Sequence, residues 1–400
     1  MPLVFVHGVS TRRGPGFDGS VAARDALFRR FLLPAVSAEP ESVTILNPYW
    51  GDHGARPAWN HASLPAADVE ALGAEDLATD QEMAALVGAA IPPDDPITPK
   101  APLVATARRS VEDAIDLLWA GAAENPGKLS ELSRSAQRAV RYARQNTDWD
   151  WLNSVETDDD FLLQLEAHVE AWEGPRTEGP EAPRYESLGF SETWDRLREA
   201  ADRIRGAVGR VSGRAVAEVA RGPAHRAATL FLGDILVYLR ERGTRDQPGP
   251  IMAEVSGALE EAARSATDAD RKLIVVAHSM GGNIVYDALT HFRPDIPVDV
   301  LVTVGSQVAF FEELKLFAAS DNDIPRNPAT DRVRKPSGVG RWINIFDRND
   351  VLGFVAEGVF AGVEDYEYST GEGIFLAHMT YFTRPSFHDR LGERVGEPAP

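Results

Sequence analysis

The chain has 400 residues with 61 acidic against 41 basic side chains, a formal net charge of −20, which argues against a nucleic-acid partner. An apolar fraction of 44% suffices for a substantial core, in two domains or in one large domain with an insertion. Cysteine is absent, which excludes disulfides and thiolate metal sites and is compatible with a reducing cytosol.

Leu3-Val4-Phe5-Val6 is a short continuous apolar run, the pattern of a buried strand. No charged segment followed by a long apolar stretch precedes it, so export by the general signal route is not expected and the protein reads as cytoplasmic. His7-Gly8-Val9 follows, with Gly8 permitting close backbone approach. Residues 14–19 read as a loop. Residues 20–33 read as a helix with Ala23, Leu27, Phe28 and Phe31 at helical spacing, ended by Pro34. Residues 43–46 form a second strand. It leads into Asn47-Pro48-Tyr49-Trp50-Gly51-Asp52, an aromatic corner in which Trp50 either lines a pocket or packs the loop.

Between about residues 52 and 225 strand signals nearly vanish. Alanine-rich helical segments alternate with Pro/Gly/Asp loops such as 91–96 and 173–183. Thr157 and Asp160 have capping-box spacing, with Phe161, Leu165, Val169 and Trp172 on one face behind them. Trp194, Leu197, Ala201, Ile204, Val208 and Val211 mark an amphipathic helix that must pack on something. The arginines of 196–226 form a locally basic helical face, an attraction for acidic partners or anionic head groups, or simply a solvated surface.

Residues 227–242 and 250–265 read as two further helices. The first holds the longest apolar stretch, too short to span a bilayer and interrupted by Asp234, a carboxylate that needs partners if buried. Leu273-Ile274-Val275-Val276-Ala277 is a buried strand; His278-Ser279-Met280-Gly281-Gly282 follows, then a helical segment from Asn283. Strand, sharp turn and helix with a serine at the turn make a nucleophile elbow, where small neighbours are required because the serine backbone is held in a strained conformation. A serine that merely caps the helix is the plainer alternative. Residues 298–304 are the next strand. The Ser306 after it lacks the small-x-Ser-x-small frame. Asp321-Asn322-Asp323 lacks the glycine and distal glutamate of a calcium loop, and no metal is assigned. Residues 342–346 form another strand, a last short one is expected near Tyr366, and His378 follows shortly before Tyr381-Phe382. Serine, acid and histidine thus occur in that order.

Ala277-His278-Ser279-Met280-Gly281-Gly282 resembles the elbow of the α/β-hydrolase superfamily in its lipase and esterase branch, where the first glycine of the pattern is sometimes alanine. The resemblance covers residues 1–51 and 226–400. It implies an α/β-hydrolase fold, a mostly parallel sheet flanked by helices, with residues 52–225 as a helical insertion serving as cap or lid. It further implies a triad of Ser279, His378 and an acid. Asp350 is preferred over Asp347, because a carboxylate directly after a strand often starts a turn. Asn349-Asp350-Val351-Leu352 also resembles an Asn-Asp-Pro-Val segment of some lipases. The amides of Val9 and Met280 would form an oxyanion hole, with His7, Gly8, His278 and Trp50 around the substrate; His291 and His388 are weaker histidine candidates. The expected reaction is cleavage of a carboxylic ester through an acyl-enzyme, on a small acyl substrate with lipids among the candidates. No cofactor and no transmembrane segment are expected; contact with a membrane surface stays open. Thioesterase, amidase and acyltransferase activities share such elbows, and a binding or signalling protein on a hydrolase scaffold is the alternative from another class.

Overall fold

The computed structural model describes residues 2–63, 101–122, 129–172, 194, 196–201, 229–265, 272–372 and 374–397. Eight strands are present among them: β1 (Pro2–Val6), β2 (Thr44–Leu46), β3 (Ile274–His278), β4 (Val298–Val304), β5 (Val333–Arg334), β6 (Val339–Phe346), β7 (Phe360–Ala361) and β8 (Val363–Glu367). Six of them form one sheet in the order β2-β1-β3-β4-β6-β8, and every pairing in it is parallel. The mini-strands β5 and β7 pair separately.

Successive strand residues point to opposite faces, and both faces of this sheet are apolar. Leu3, Phe5, Ile274, Val276, Val302 and Ile343 lie in one core with Phe28, Leu32, Phe387 and Leu391. Val4, Val6, Val275, Ala277, Leu301 and Trp342 lie in the other, with Ile251, Val255, Leu259, Ile284 and Tyr286. The first layer is covered by α1 (Phe17–Leu27) with its continuation Phe28–Leu32, and by the C-terminal helix Pro385–Gly396. The second is covered by Pro250–Ser265 and Met280–Asp287. Burying both faces explains why the central strands β1 and β3 read as apolar runs.

The described part of the central region is helical: α2 (Pro102–Arg109), α3 (Val111–Ala122), α4 (Leu129–Gln145) and α5 (Asp158–Ala171). Thr157 caps α5, its hydroxyl accepting from the Asp160 N–H at 3.1 Å. These helices build a core of their own around Leu103, Ile115, Val140, Phe161 and Leu165. A smaller cluster joins Trp119, Leu132 and Ala136 to Leu27 and Phe31 of the sheet's helical layer. Polar ties run to the C-terminal helix. Glu112 pairs with Arg390 at 2.9 Å, Glu393 with Arg144 at 2.9 Å, and the buried Asp116 accepts from the Ser386 N–H at 3.1 Å. Burial raises the Asp116 pKa to about 7, against the pull of Arg384. The loops expected at 91–96 and 173–183, and residues 202–226 of the expected amphipathic and basic helix, lie outside the described residues.

The helix after this region covers residues 229–241 and is followed by α7 (Pro250–Ser265), so the former is α6; then come α8 (Met280–Asp287), α9 (Val308–Glu313), α10 (Ile374–Thr380) and α11 (Pro385–Gly396). No helix among the described residues is long and apolar enough to cross a membrane. Several boundaries differ from the expected ones. The first helix begins at Phe17, directly after Gly16 at φ 87°, and Pro34 sits in a short 3-10 turn, Leu33–Ala35. β6 starts three residues early. Its Arg341 masks the apolar pattern, yet is buried by a two-pronged bond to Glu364 (2.8 and 2.6 Å). Asp321 accepts from the Asp323 N–H at 2.8 Å in a simple turn.

Two predictions follow from this packing. Trp119→Ala opens a cavity between α1 and the central helices and is expected to destabilise the fold by about 3–5 kcal/mol, read as a lower denaturation midpoint. A midpoint unchanged within error would mean that the contact contributes nothing. His388, fully buried among Phe28, Phe382 and Phe387, has its pKa lowered by burial from 6.5 to about 3. Below pH 6.5 the unfolded chain takes up a proton that the folded chain refuses. This histidine therefore removes stability as the pH falls from 6.5 toward 3, by up to about 1.4 kcal/mol per pH unit. Asp116 works in the opposite sense, costing stability as the pH rises from 3.8 toward 7. The difference between wild type and His388→Phe isolates the histidine: the variant should lose less stability between pH 6.5 and 4.

Candidate active site

Because all six strands of the sheet are parallel, the segments leaving their C-terminal ends converge on one edge. The order reverses between β1 and β3, and such a switch point opens a crevice at that edge. Ser279 stands there, between β3 and the first turn of α8. Its backbone adopts φ 53°, ψ −128°, a left-handed conformation that costs a non-glycine residue on the order of 1–3 kcal/mol. Neighbouring strands hold it in place. The Ser279 N–H donates to Val304 O at 2.9 Å, and Ser279 O accepts from Ser306 Oγ and the Gly282 N–H, both at 3.0 Å.

The small neighbours have steric causes. A Cβ on Gly281 would stand 2.4 Å from Val6 O and 2.7 Å from His7 O. One on Gly282 would stand 2.2 Å from Ser306 Oγ. The doubled glycine lets α8 start directly against β1 and the β4 loop.

His378 lies on α10, a short helix after β8. Its Nε2 is 2.9 Å from Ser279 Oγ, and its Nδ1 is 2.9 and 3.0 Å from the two carboxylate oxygens of Asp350. All three residues are buried. The partners define the tautomer: Nδ1–H donates to Asp350, leaving Nε2 to accept from the serine hydroxyl. Asp350 also accepts from Tyr381 Oη at 3.0 Å and from the Leu352 N–H at 2.9 Å. Burial and the adjoining Asp350 push the Tyr381 pKa far above its ordinary value, so the phenol stays a donor.

Asp347 is not brought to the histidine. One of its oxygens accepts from the Asn349 N–H at 2.8 Å; the other accepts from Thr370 N–H and Oγ1 at 2.6 and 2.7 Å. It closes the turn after β6 and ties it to the segment after β8, while its carbonyl accepts from the Asp350 N–H at 3.0 Å.

The loop after β1 lies over the nucleophile: a Cβ on Gly8 would stand 2.7 Å from Ser279 Cβ. Among the described residues neither the Val9 N–H nor the Met280 N–H finds an acceptor. Met280 is also the first residue of α8, where backbone N–H groups and the helix dipole favour negative charge. His7 and Trp50, expected around the substrate, are instead locked to each other inside. Their rings stack at 4.7 Å and 13°; the Trp50 N–H donates to His7 Nε2 at 3.2 Å, and Trp50 Nε1 donates to His7 O at 3.0 Å. Trp50 is fully buried and presents no surface to a ligand. Burial lowers the His7 pKa to about 4, so the ring is neutral, with Nδ1–H donating to Gly8 O at 2.7 Å. His278 likewise turns to the protein: its Nε2–H donates to the backbone carbonyl of His378 at 2.8 Å. Burial, then the nearby His378, lowers its pKa to about 3.

Sequence reasoning passed over Tyr381 and Gly305. The latter adopts φ 54°, and a Cβ there would stand 2.8 Å from Asp350 Oδ2 and 3.3 Å from His378 Nδ1. The abrupt end of the apolar β4 run at Gly305 was the available signal. On the same edge Phe310, Leu314, Val351, Val355 and Met379 are exposed, with Phe310 stacked on Phe354 at 5.2 Å. Phe310 and Leu314 follow β4 in the chain, Val351 and Val355 follow β6, and Met379 is the residue after His378.

Comparison with protein-family models, with curated proteins and with solved structures returned no match. The reading of the site rests on its geometry alone: a hydroxyl, an imidazole and a carboxylate joined in line, beside two backbone donors without acceptors among the described residues. Modification of Ser279 by a fluorophosphonate should be slowed by Asp350→Asn on the order of 10⁴-fold at little change in stability. Asp347→Asn should instead cost about 1–3 kcal/mol of stability through the Thr370 donors it strands. The reverse pattern in labelling kinetics and thermal melts would make Asp347 the functional acid.

Proposed function

We propose that the protein is a serine hydrolase of the α/β-hydrolase type that cleaves a carboxylic ester through an acyl-enzyme. One observation carries the reading: the unbroken chain Ser279 Oγ–His378–Asp350, with the serine on a left-handed turn at the C-terminal edge of a parallel sheet. A structural cap would need neither the imidazole nor the buried carboxylate behind it. A pure binding role leaves that chain without a use.

Each step uses a group already in position. Ser279 Oγ attacks the acyl carbonyl carbon while His378 Nε2 takes the hydroxyl proton. The resulting imidazolium is stabilised by Asp350, which keeps its own charge and fixes the tautomer through Nδ1–H. The Val9 and Met280 N–H groups receive the negative charge that develops on the carbonyl oxygen. The intermediate collapses, the ester C–O bond breaks, and the imidazolium returns its proton to the departing alkoxide. A water molecule then repeats the attack on the acyl-enzyme, giving its proton to His378 and releasing the carboxylic acid and free Ser279.

The exposed apolar side chains on the segments after β4 and β6 and next to His378, Phe310, Leu314, Val351 and Met379 among them, support an acyl group of hydrocarbon character. The cysteine-free composition suits a cytoplasmic setting. The ion pairs and apolar contacts that join α2–α5 to α1 and α11 support a reading of the central helices as a body packed on the flank of the sheet.

Ser279→Ala is expected to retain the fold and to lower hydrolysis of p-nitrophenyl esters by about 10⁶-fold. Wild-type protein should gain one fluorophosphonate adduct on the Ser279 peptide, identified by mass. An adduct elsewhere, or a Ser279→Ala variant with activity near wild type, refutes the assignment.

A further inference from the structure

Asp234 is fully buried on α6, the helix that follows the central insertion. Every group around its carboxylate is a donor. Oδ2 accepts from the Ser10 N–H at 2.8 Å and Arg12 Nη1 at 3.1 Å. Oδ1 accepts from Arg12 Nη2 at 2.6 Å and the Ala55 N–H at 2.7 Å. Two glycines make room for this closure. A Cβ on Gly54 would stand 2.4 Å from Asp234 Oδ1, and one on Gly233 would stand 2.6 Å from Ala55 Cβ.

The segment held in this way is the one that carries the Val9 N–H. Ser10 adopts φ 60°, unfavourable for a residue with a side chain, and its N–H is the group that Asp234 grips. Thr11, between the two gripped residues, points Oγ1–H at Gly8 O, 3.2 Å away. His7 Nδ1–H donates to the same oxygen at 2.7 Å. Gly8 C=O and Val9 N–H belong to one trans peptide plane and point in opposite directions. With the carbonyl held by these two donors, the N–H is held in the opposite direction, in a loop that passes directly over Ser279.

We propose that Asp234 is a positioning residue for the oxyanion hole, holding Ser10 and Arg12 so that Thr11 and His7 lock the Gly8–Val9 peptide with its N–H toward Ser279. This rests on the hydrolase reading given above. Asparagine at 234 cannot substitute. It offers one acceptor and one donor where four donors converge, so either the Ser10 side or the Ala55 side faces an N–H₂ group.

The test measures kcat and KM separately on p-nitrophenyl acetate for wild type, Asp234→Asn, Thr11→Val and a matched control. The control is Asp287→Asn, a buried carboxylate at the far end of α8 that accepts from Tyr238 Oη at 2.7 Å, Arg242 Nη1 at 3.2 Å and the Ala318 N–H at 3.0 Å. An oxyanion contact strengthens in the transition state, so its loss falls on kcat. Asp234→Asn should lower kcat about 10²-fold to 10³-fold with KM changed less than about threefold. Thr11→Val, nearly isosteric, should lower kcat about tenfold in the same pattern. Hydrogen exchange in residues 7–13 should accelerate in Asp234→Asn and stay at the wild-type rate in Asp287→Asn. A folded Asp234→Asn with wild-type kcat overturns the proposal, as does an equal kcat loss in Asp287→Asn. Should Asp234→Asn fail to fold, Thr11→Val decides: unchanged kcat overturns it. Wild-type protein inert to both ester and fluorophosphonate defeats the hydrolase reading and this proposal with it, whereas an active wild type with unimpaired variants defeats the proposal alone.

Discussion

A serine held at φ 53° is the constraint around which this molecule is arranged. The isolated chain disfavours that conformation, so the surroundings must over-determine it. They do so from the two neighbouring strands. β4 supplies the acceptor for the Ser279 N–H, the loop behind β4 supplies Ser306 for its carbonyl, and the end of β1 lies so close that only glycine fits at 281. The parallel register of β1, β3 and β4 is therefore more than a way to bury valine and isoleucine. It sets the heights at which Gly8, Ser279 and Gly305 meet.

The histidines illustrate how burial sorts chemically identical groups. His7, His278 and His388 are pushed well below their ordinary pKa by loss of water, and each makes its bonds as a neutral ring to backbone groups. Among the described histidines, His378 alone has a carboxylate on one nitrogen and a hydroxyl on the other. The first three brace the surrounding backbone; the fourth links two buried side chains.

What could be read from the sequence was what local pattern encodes. β4 and the helix Pro250–Ser265 appear with the boundaries their sequence patterns suggest, because each shows its own period: a nearly continuous buried run in the strand, and one buried face with Ile251, Val255, Leu259 and Ala262 in the helix. The elbow was legible for a similar reason: a strand, a serine with small residues two positions to either side, and a helix follow one another directly. The preference for Asp350 over Asp347 came from turn chemistry, and the bond that Asp347 accepts from the Asn349 N–H is of that kind, whereas its bonds from Thr370 cross 23 residues. Contacts across long separations left no such trace. Tyr381 meets Asp350 from 31 residues away, and Asp234 meets Ser10 across 224. Trp50 could be read both ways since an aromatic residue at a strand end suits a pocket wall and a packed loop equally; burial decided for the loop.

Ala55 and Asp234 bond to each other, and between them runs nearly half of the chain. Two points of the chain 179 residues apart are thereby held together by one carboxylate. Closing a flexible loop costs only about 0.6 kcal/mol more for each doubling of its length. The closure that Asp234 makes is therefore nearly indifferent to how much chain lies between its two ends, and what the intervening helices add to stability comes from their own packing against α1 and α11.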